Sequence, residues 1–194
     1  MLFSLTSLYA LLALFVGISQ ALPIAKQETA AQKIKFVVFK TADENAEMLA
    51  RVEAFSQAFG GLGVQVEDLP GEQTYTSKDG KELHMSWLKV ERTLQAMEEA
   101  SGADWVLALE LSLIPQDGSA AIDLNGLISS NPSVSVFLKR HGMGFAMAMY
   151  RNDPQIKQVL TDLWAKRSAS GSVGAAFASY TFWNPSLLTQ IKFI

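Results

Sequence analysis

Cysteine is absent from the 194 residues, and histidine is limited to His84 and His141. The first absence excludes disulfides, thiolate nucleophiles and Cys-ligated metals, and a chain of this length buries an adequate core without covalent staples. The second leaves a zinc centre short of ligands, since neither histidine stands in a His-x-x-x-His spacing. Runs of Lys or Arg are also lacking, and the formal net charge is -3. No broad positive field is available for a phosphate backbone or an anionic bilayer, so nucleic acid is not expected as a partner. Two phosphate-loop or nucleophile-elbow candidates fail on local grounds. Gly171-Ser172-Val173-Gly174 has no glycine two residues before its serine, and Gly142-Met143-Gly144 leads into an apolar strand pattern instead of following one. Asn131-Pro132-Ser133 and Asn184-Pro185-Ser186 carry proline at the middle position, which blocks N-glycosylation.

What is present is apolar. Hydrophobic residues make up 49% of the chain against 18% charged, a composition that places it among globular proteins with one main domain. The first charged side chain is Lys26. Before it, Leu8 to Ile18 form an apolar run, and Ser19-Gln20-Ala21 supplies small residues where a signal peptidase cuts. Residues 1–21 are therefore read as a signal peptide cleaved after Ala21, and 22–32 as a linker. The competing reading is a signal anchor, because a bilayer span needs about 20 apolar residues. Lys26, Lys33 and Lys35 weigh against it, since an anchor with a cytoplasmic N-terminus carries its basic residues before the span. A membrane is a partner only if the segment is uncleaved. Either way the expected location is the secretory pathway, in the Golgi lumen or outside the cell.

Beyond the linker, Ile34 to Phe39 clusters β-branched and aromatic residues as a buried strand does. Met48, Val52, Phe55 and Phe59 then recur at helical spacing, and Gly60-Gly61 stops that helix. Val64 to Leu69 alternates like a second strand, so a parallel strand–helix–strand unit and an α/β sheet are expected. Pro70 to Glu82 reads as a polar loop carrying Tyr75. Met85 to Ala100 holds Trp87, Val90, Leu94 and Met97 on one helical face, and Trp105 to Leu113 is a further buried strand. Ile122 to Ile128 reads as a short helix, while Ser133 to Leu138 and Phe145 to Tyr150 are strand candidates. Asp153-Pro154 opens a helix to about Lys166, with Asp as N-cap and Pro in the first turn. Residues 168–194 show no clear period and form a poorly specified tail.

Three collinear blocks carry a resemblance. His84-Met85-Ser86-Trp87-Leu88-Lys89 is similar to a His-x-x-Trp-x-Lys helix start, and Ala103 to Ile114 to a strand ending in Asp-x-Asp, here Glu110-Leu111-Ser112. Gly144 to Asn152 is similar to an Asn-x-Gly-x-x-x-x-Arg-Asn block, with His141 near the place of its first Asn. Together they resemble the fungal and plant galactosyl/mannosyl/xylosyltransferase family of the Golgi, over about Lys33 to Arg167. The resemblance implies a glycosyltransferase-like domain at 33–167 with a GT-A-like, Rossmann-type sheet and flanking helices. The family's further acidic block and closing sheet segment have no counterpart after Trp164, so the fold is expected to be incomplete at its C-terminal side.

The implied reaction is hexosyl transfer from a nucleotide-sugar donor to a glycan acceptor. By the same resemblance Thr41, Ala42 and Asp43 face the nucleoside, Lys89 lies near the diphosphate, and Glu110 and Ser112 occupy the metal corner. Hard cations such as Mn or Mg take carboxylate oxygens there and offset the charge that grows as the sugar leaves. With a neutral hydroxyl at Ser112 that assistance is weakened, and the loss of several kcal/mol would cost roughly a thousandfold in rate. Each residue also has a plainer reading: Lys89 as a solvated helix residue, Glu110 as a satisfied strand-end carboxylate, Trp87 as core. A second class of function remains, a secreted non-enzymatic protein that binds carbohydrate or protein through aromatic platforms at Tyr75, Phe182 and Trp183.

Overall fold

The computed structural model describes residues 32–41, 46–69, 73–115, 122–141 and 144–194. The signal segment, all of the linker before Gln32, Ala42 and Asp43 lie outside the described residues. Strand β1 (Ile34–Thr41), helix α1 (Ala46–Ala58) and strand β2 (Gly61–Leu69) form the expected unit, with β1 and β2 parallel. Gly60, at φ +67°, takes the left-handed conformation after α1 that a Cβ would penalise. Gly61 is required for space: a Cβ there would lie 1.9 Å from Ser56 Oγ.

The expected loop Pro70 to Glu82 instead contains the short antiparallel strands β3 (Thr74–Thr76) and β4 (Glu82–His84). Three residues are too few to display alternation. The legible signal was Asp79-Gly80, a turn dipeptide in which Gly80 sits at φ +77°. Helix α2 (Ser86–Glu99) follows and buries Trp87, Leu88, Val90, Ala96 and Met97. The chain then re-enters the sheet as β5 (Trp105–Glu110), parallel to β1. β5 is shorter than the Trp105 to Leu113 expected. Its ladder to β1 ends at Phe39–Glu110 and its ladder to the later strand β7 (Gly144–Arg151) at Leu109–Met147, and the unpaired continuation Leu111–Leu113 tightens into a 3-10 turn.

Helix α3 (Leu124–Ser129) leads to β6 (Val136–His141) and the antiparallel β7 (Gly144–Arg151). Helix α4 (Pro154–Ala165) begins where Asp153-Pro154 places it, with Asp153 Oδ1 accepting the Ile156 N–H at 2.8 Å. The segment without a legible period is ordered structure: helix α5 (Val173–Trp183), a 3-10 turn (Pro185–Gln190) and β8 (Ile191–Phe193). α5 reads VGAAFASYTFW, apolar and small around its whole circumference, so no polar stripe marks its turns. β8 runs parallel to β6 and adds a strand at that edge.

The six-stranded sheet has the order β2-β1-β5-β7-β6-β8, and β7 alone runs against the rest. Alternating side chains separate two cores. On one face Val37, Phe39, Val106, Ala108, Leu138 and Tyr150 pack under α2, α4 and α5. On the other, Phe36, Val38, Leu107, Leu109, Phe137 and Met147 pack under α1 and α3. Trp87, fully buried, meets Trp164 edge to face at 6.2 Å, and Phe36 meets Phe55 at 5.8 Å. Burial of each such side chain is worth about 2 kcal/mol. The chain leaves β1 sideways for β2 and then crosses back over β1 to β5. Right-handed crossovers in opposite lateral directions put α1 and α2 on opposite faces, and Phe39 and Glu110 lie side by side at the carboxyl ends of β1 and β5.

Candidate functional site

At that edge the register sets Phe39 beside Glu110, and alternation with Val106 and Ala108 turns Glu110 toward α2. Lys89, in the first turn of α2, comes down on the same spot. Its ammonium donates to Glu110 Oε1 and, at 2.8 Å, to the carbonyl oxygen of Phe145 at the start of β7. Nζ also lies 5.9 Å from the Phe39 ring centroid. Both side chains are only 18% exposed. A charge covered to that extent needs a hydrogen-bond partner of opposite charge, and each of the two groups here supplies the other's. The contact joins α2, β5 and β7. The space beside it, lined by Ser86, Lys89, Thr93, Ala108, Phe145 and Tyr150, is about 10 Å³, no more than one water. Burial raises the Tyr150 phenol above its ordinary range.

Further along the same edge, Lys40 Nζ lies 2.6 Å from Asp68 Oδ1 across β1 and β2. Glu67 accepts the Gln65 amide at 2.8 Å, and its Oε2 lies 2.9 Å from Arg92 Nε of α2. That nitrogen has no hydrogen-bond partner, so the Arg92 contact is Coulombic and off the hydrogen-bond axis. The carboxyl edge is thus lined with charges already paired across elements.

Of the six site residues expected from sequence, Lys89 and Glu110 meet directly. Thr41 ends β1 opposite Leu69, Ala42 and Asp43 lie outside the described residues, and Ser112 is exposed in the 3-10 turn after β5. Sequence placed Lys89 by the diphosphate and Glu110 by the metal; it did not foresee that the ammonium neutralises the carboxylate. A divalent hard cation takes six or more oxygen ligands with carboxylates among them. Among the described residues no group of three or more His, Asp or Glu converges, and the ammonium of Lys89 occupies one carboxylate oxygen of Glu110. These residues do not by themselves fit a resident Mn or Mg.

The other motif residues have structural partners. His84 Nδ1 accepts the Ser86 N–H at 3.1 Å, and Ser86 Oγ accepts the Val173 N–H at 3.1 Å, which links the starts of α2 and α5. Arg151 donates to the carbonyls of Pro132 and Val134 and lies 5.2 Å above Trp105, while Asn152 donates to Ala103 O at 3.1 Å. Both sit at the opposite, amino end of β5. Tyr75 packs against the core, its phenol raised by burial and by the Glu91 carboxylate. Phe182 and Trp183 are 74% exposed, with ring centroids 5.1 Å apart.

Sequence reasoning missed one hollow. A cleft of about 570 Å³ runs between α5 and the β6–β8 side of the sheet, lined by Arg140, Phe145, Phe177, Phe182, Leu188 and Phe193 among others. Phe145 faces Phe177 edge to face at 5.6 Å within it. The same residue whose carbonyl holds Lys89 therefore forms a wall of the cleft. No local pattern announces it, because its residues come from segments up to about fifty positions apart.

A mostly parallel sheet covered by helices on both faces, with a polar corner at the strands' carboxyl ends, defines a mixed α/β protein. The fold is glycosyltransferase-like: it is similar to the crystal structure of a glycosyltransferase involved in the glycosylation of the major capsid of PBCV-1. The TM-score is 0.51, with 12% identity, over 82% of this chain and 81% of that one. No family profile matches the chain, and no curated protein matches its sequence.

Proposed function

We propose that this chain is a glycosyltransferase-like protein of the secretory pathway, whose inherited reaction is hexosyl transfer from a nucleotide-sugar donor to a glycan acceptor. The observation that carries this reading is the Lys89–Glu110 pair at the carboxyl ends of the parallel strands β1 and β5, on a sheet whose structural neighbour is a glycosyltransferase. The nucleoside would lie beyond β1, near Thr41 and Asp43. Lys89 is the cation that stands where a diphosphate gains charge, and Glu110 orients it. With Glu110 so engaged and Ser112 neutral, assistance by Mn or Mg is weak, and turnover is slow or absent.

Ligand-dependent melting tests the donor site, because a molecule that binds only the folded state stabilises it by mass action. A UDP- or GDP-sugar at ten times its Kd should add about 1.4 kcal/mol, which raises Tm by roughly 3 °C for a domain of this size. The shift should be nearly the same with and without Mn. Where transfer is detected, Glu110→Ala should lower it. No shift with any donor at millimolar concentration removes the donor site from the reading.

The exposed Phe182–Trp183 pair beside the cleft favours a second reading, a secreted non-enzymatic carbohydrate- or protein-binding protein. Binding on a glycan array without nucleotide, together with no donor shift, would select it.

A further inference from the structure

We infer that the cleft between α5 and the β6–β8 side of the sheet is the subsite for the non-sugar end of the glycan acceptor, an amphiphilic anion in which an apolar group is joined to a phosphate or carboxylate. This rests on the transferase reading above. The cleft's volume of about 570 Å³ suits a small molecule. Its walls are aromatic and aliphatic, and the hydroxyls on them are already used. Thr181 Oγ donates to the Phe177 carbonyl at 3.0 Å, and Ser172 Oγ accepts the Ala175 N–H at 3.3 Å. A sugar ring would bring several hydroxyls to a surface with few partners for them, which opposes its entry. An apolar chain or ring loses nothing there.

The anion follows from charge. Arg140 is exposed at the cleft, its guanidinium 4.9 Å above the Phe193 ring, and it has no carboxylate partner among the described residues. No acidic residue occurs in α5, β6, β7 or β8. Residues 124–194 hold seven Lys and Arg and two Asp, in a chain of net charge -3. Those two, Asp153 and Asp162, belong to α4 and its cap; Asp153 accepts the Ile156 N–H, and Asp162 accepts the Tyr180 hydroxyl of α5. Arg140 is thus the charged side chain among the residues that line the apolar cleft. Phe145 sets the distance to the other corner, since its ring lines the cleft while its carbonyl holds Lys89. An acceptor bound here ends beside the place proposed for the donor.

Tryptophan emission reads occupancy without any nucleotide. Trp87 and Trp105 are buried and Trp164 is partly covered, so Trp183, 74% exposed against Phe182, is the residue whose emission moves. The full chain should give a saturable blue shift with decyl phosphate below its micelle concentration. Decanol should bind about tenfold more weakly, and inorganic phosphate should give no shift. Arg140→Ala should reduce decyl phosphate to the affinity of decanol, and Ala178→Phe, on an exposed cleft wall, should block both. The inference is overturned by a lack of saturation, by either variant binding like the parent, or by binding to anionic phospholipid vesicles with no response to monomeric decyl phosphate. The donor melting shift is scored separately. A shift without amphiphile binding sinks this inference alone, whereas amphiphile binding without a shift sinks the transferase reading and leaves a ligand cleft.

Discussion

Lys89 and Glu110 show how far a single residue's meaning depends on its neighbour. Each alone is an ordinary charged side chain near the end of an element; together they form a mostly covered pair that pins α2 to β5 and to the β7 backbone. Truncating one partner leaves the other charge with reduced solvation, a penalty of 3–5 kcal/mol when burial is complete and about 2 kcal/mol at this level of exposure. Lys89→Met should therefore lower stability in urea titration by roughly that amount. Lys89→Met combined with Glu110→Leu should recover most of it, because no charge is then stranded. A single variant as stable as the parent would show that the pair contributes nothing to the fold. The pairing itself was not legible in the sequence, since the two residues are 21 positions apart and only the α2-on-sheet packing brings them together.

Among the elements, α4 and α5 make a controlled contrast. Asp153-Pro154 followed by Ile156, Leu160 and Leu163 announces α4 twice, by its cap and by its stripe, and the helix lies where those signals put it. α5 has only the cap. Its apolar residues surround the axis because one side meets the core and the other meets the cleft and solvent, leaving no periodic contrast. With so little helical amphipathicity to support it, the cap matters more. Ser172→Ala removes the acceptor for the Ala175 N–H and should cost about 1 kcal/mol in chemical denaturation. The change should also loosen the cleft wall, seen as faster amide exchange in α5 than in α4. The β3–β4 hairpin is the opposite kind of miss, an element too short for periodicity but marked by Asp79-Gly80.

At the scale of the whole molecule, the core under α2, α4 and α5 buries phenols along with hydrocarbons, and this sets an alkaline limit. Burial raises Tyr75 and Tyr150, and burial together with the hydrogen bond to Asp162 pushes Tyr180 up to about 12. A phenol held neutral in the native state gives a stabilising contribution that is complete below its unfolded value near 10. That contribution is lost as pH rises toward the native value, because the unfolded chain ionises first. Stability measured across pH 9–12 should therefore fall steadily from about pH 10. Tyr180→Phe should make that fall shallower without removing it, since Tyr75 and Tyr150 still titrate; an unchanged slope would deny Tyr180 its share.

The amino-acid sequence by itself determined the α/β class, the parallel β1–α1–β2 unit, the faces of α2 and α4 and the two signals for where helices start and stop. All of these are written in near-neighbour spacing, as hydrophobic period, caps and turn residues. Tertiary structure alone decided that β5 stops at Glu110 where its ladders end, that Lys89 closes on that carboxylate, and that residues 168–194 supply a helix and a strand. It also decided that a cleft opens between α5 and the sheet. Those outcomes depend on which distant segments share an edge or a face, and a contact of that kind leaves no periodic trace in either segment.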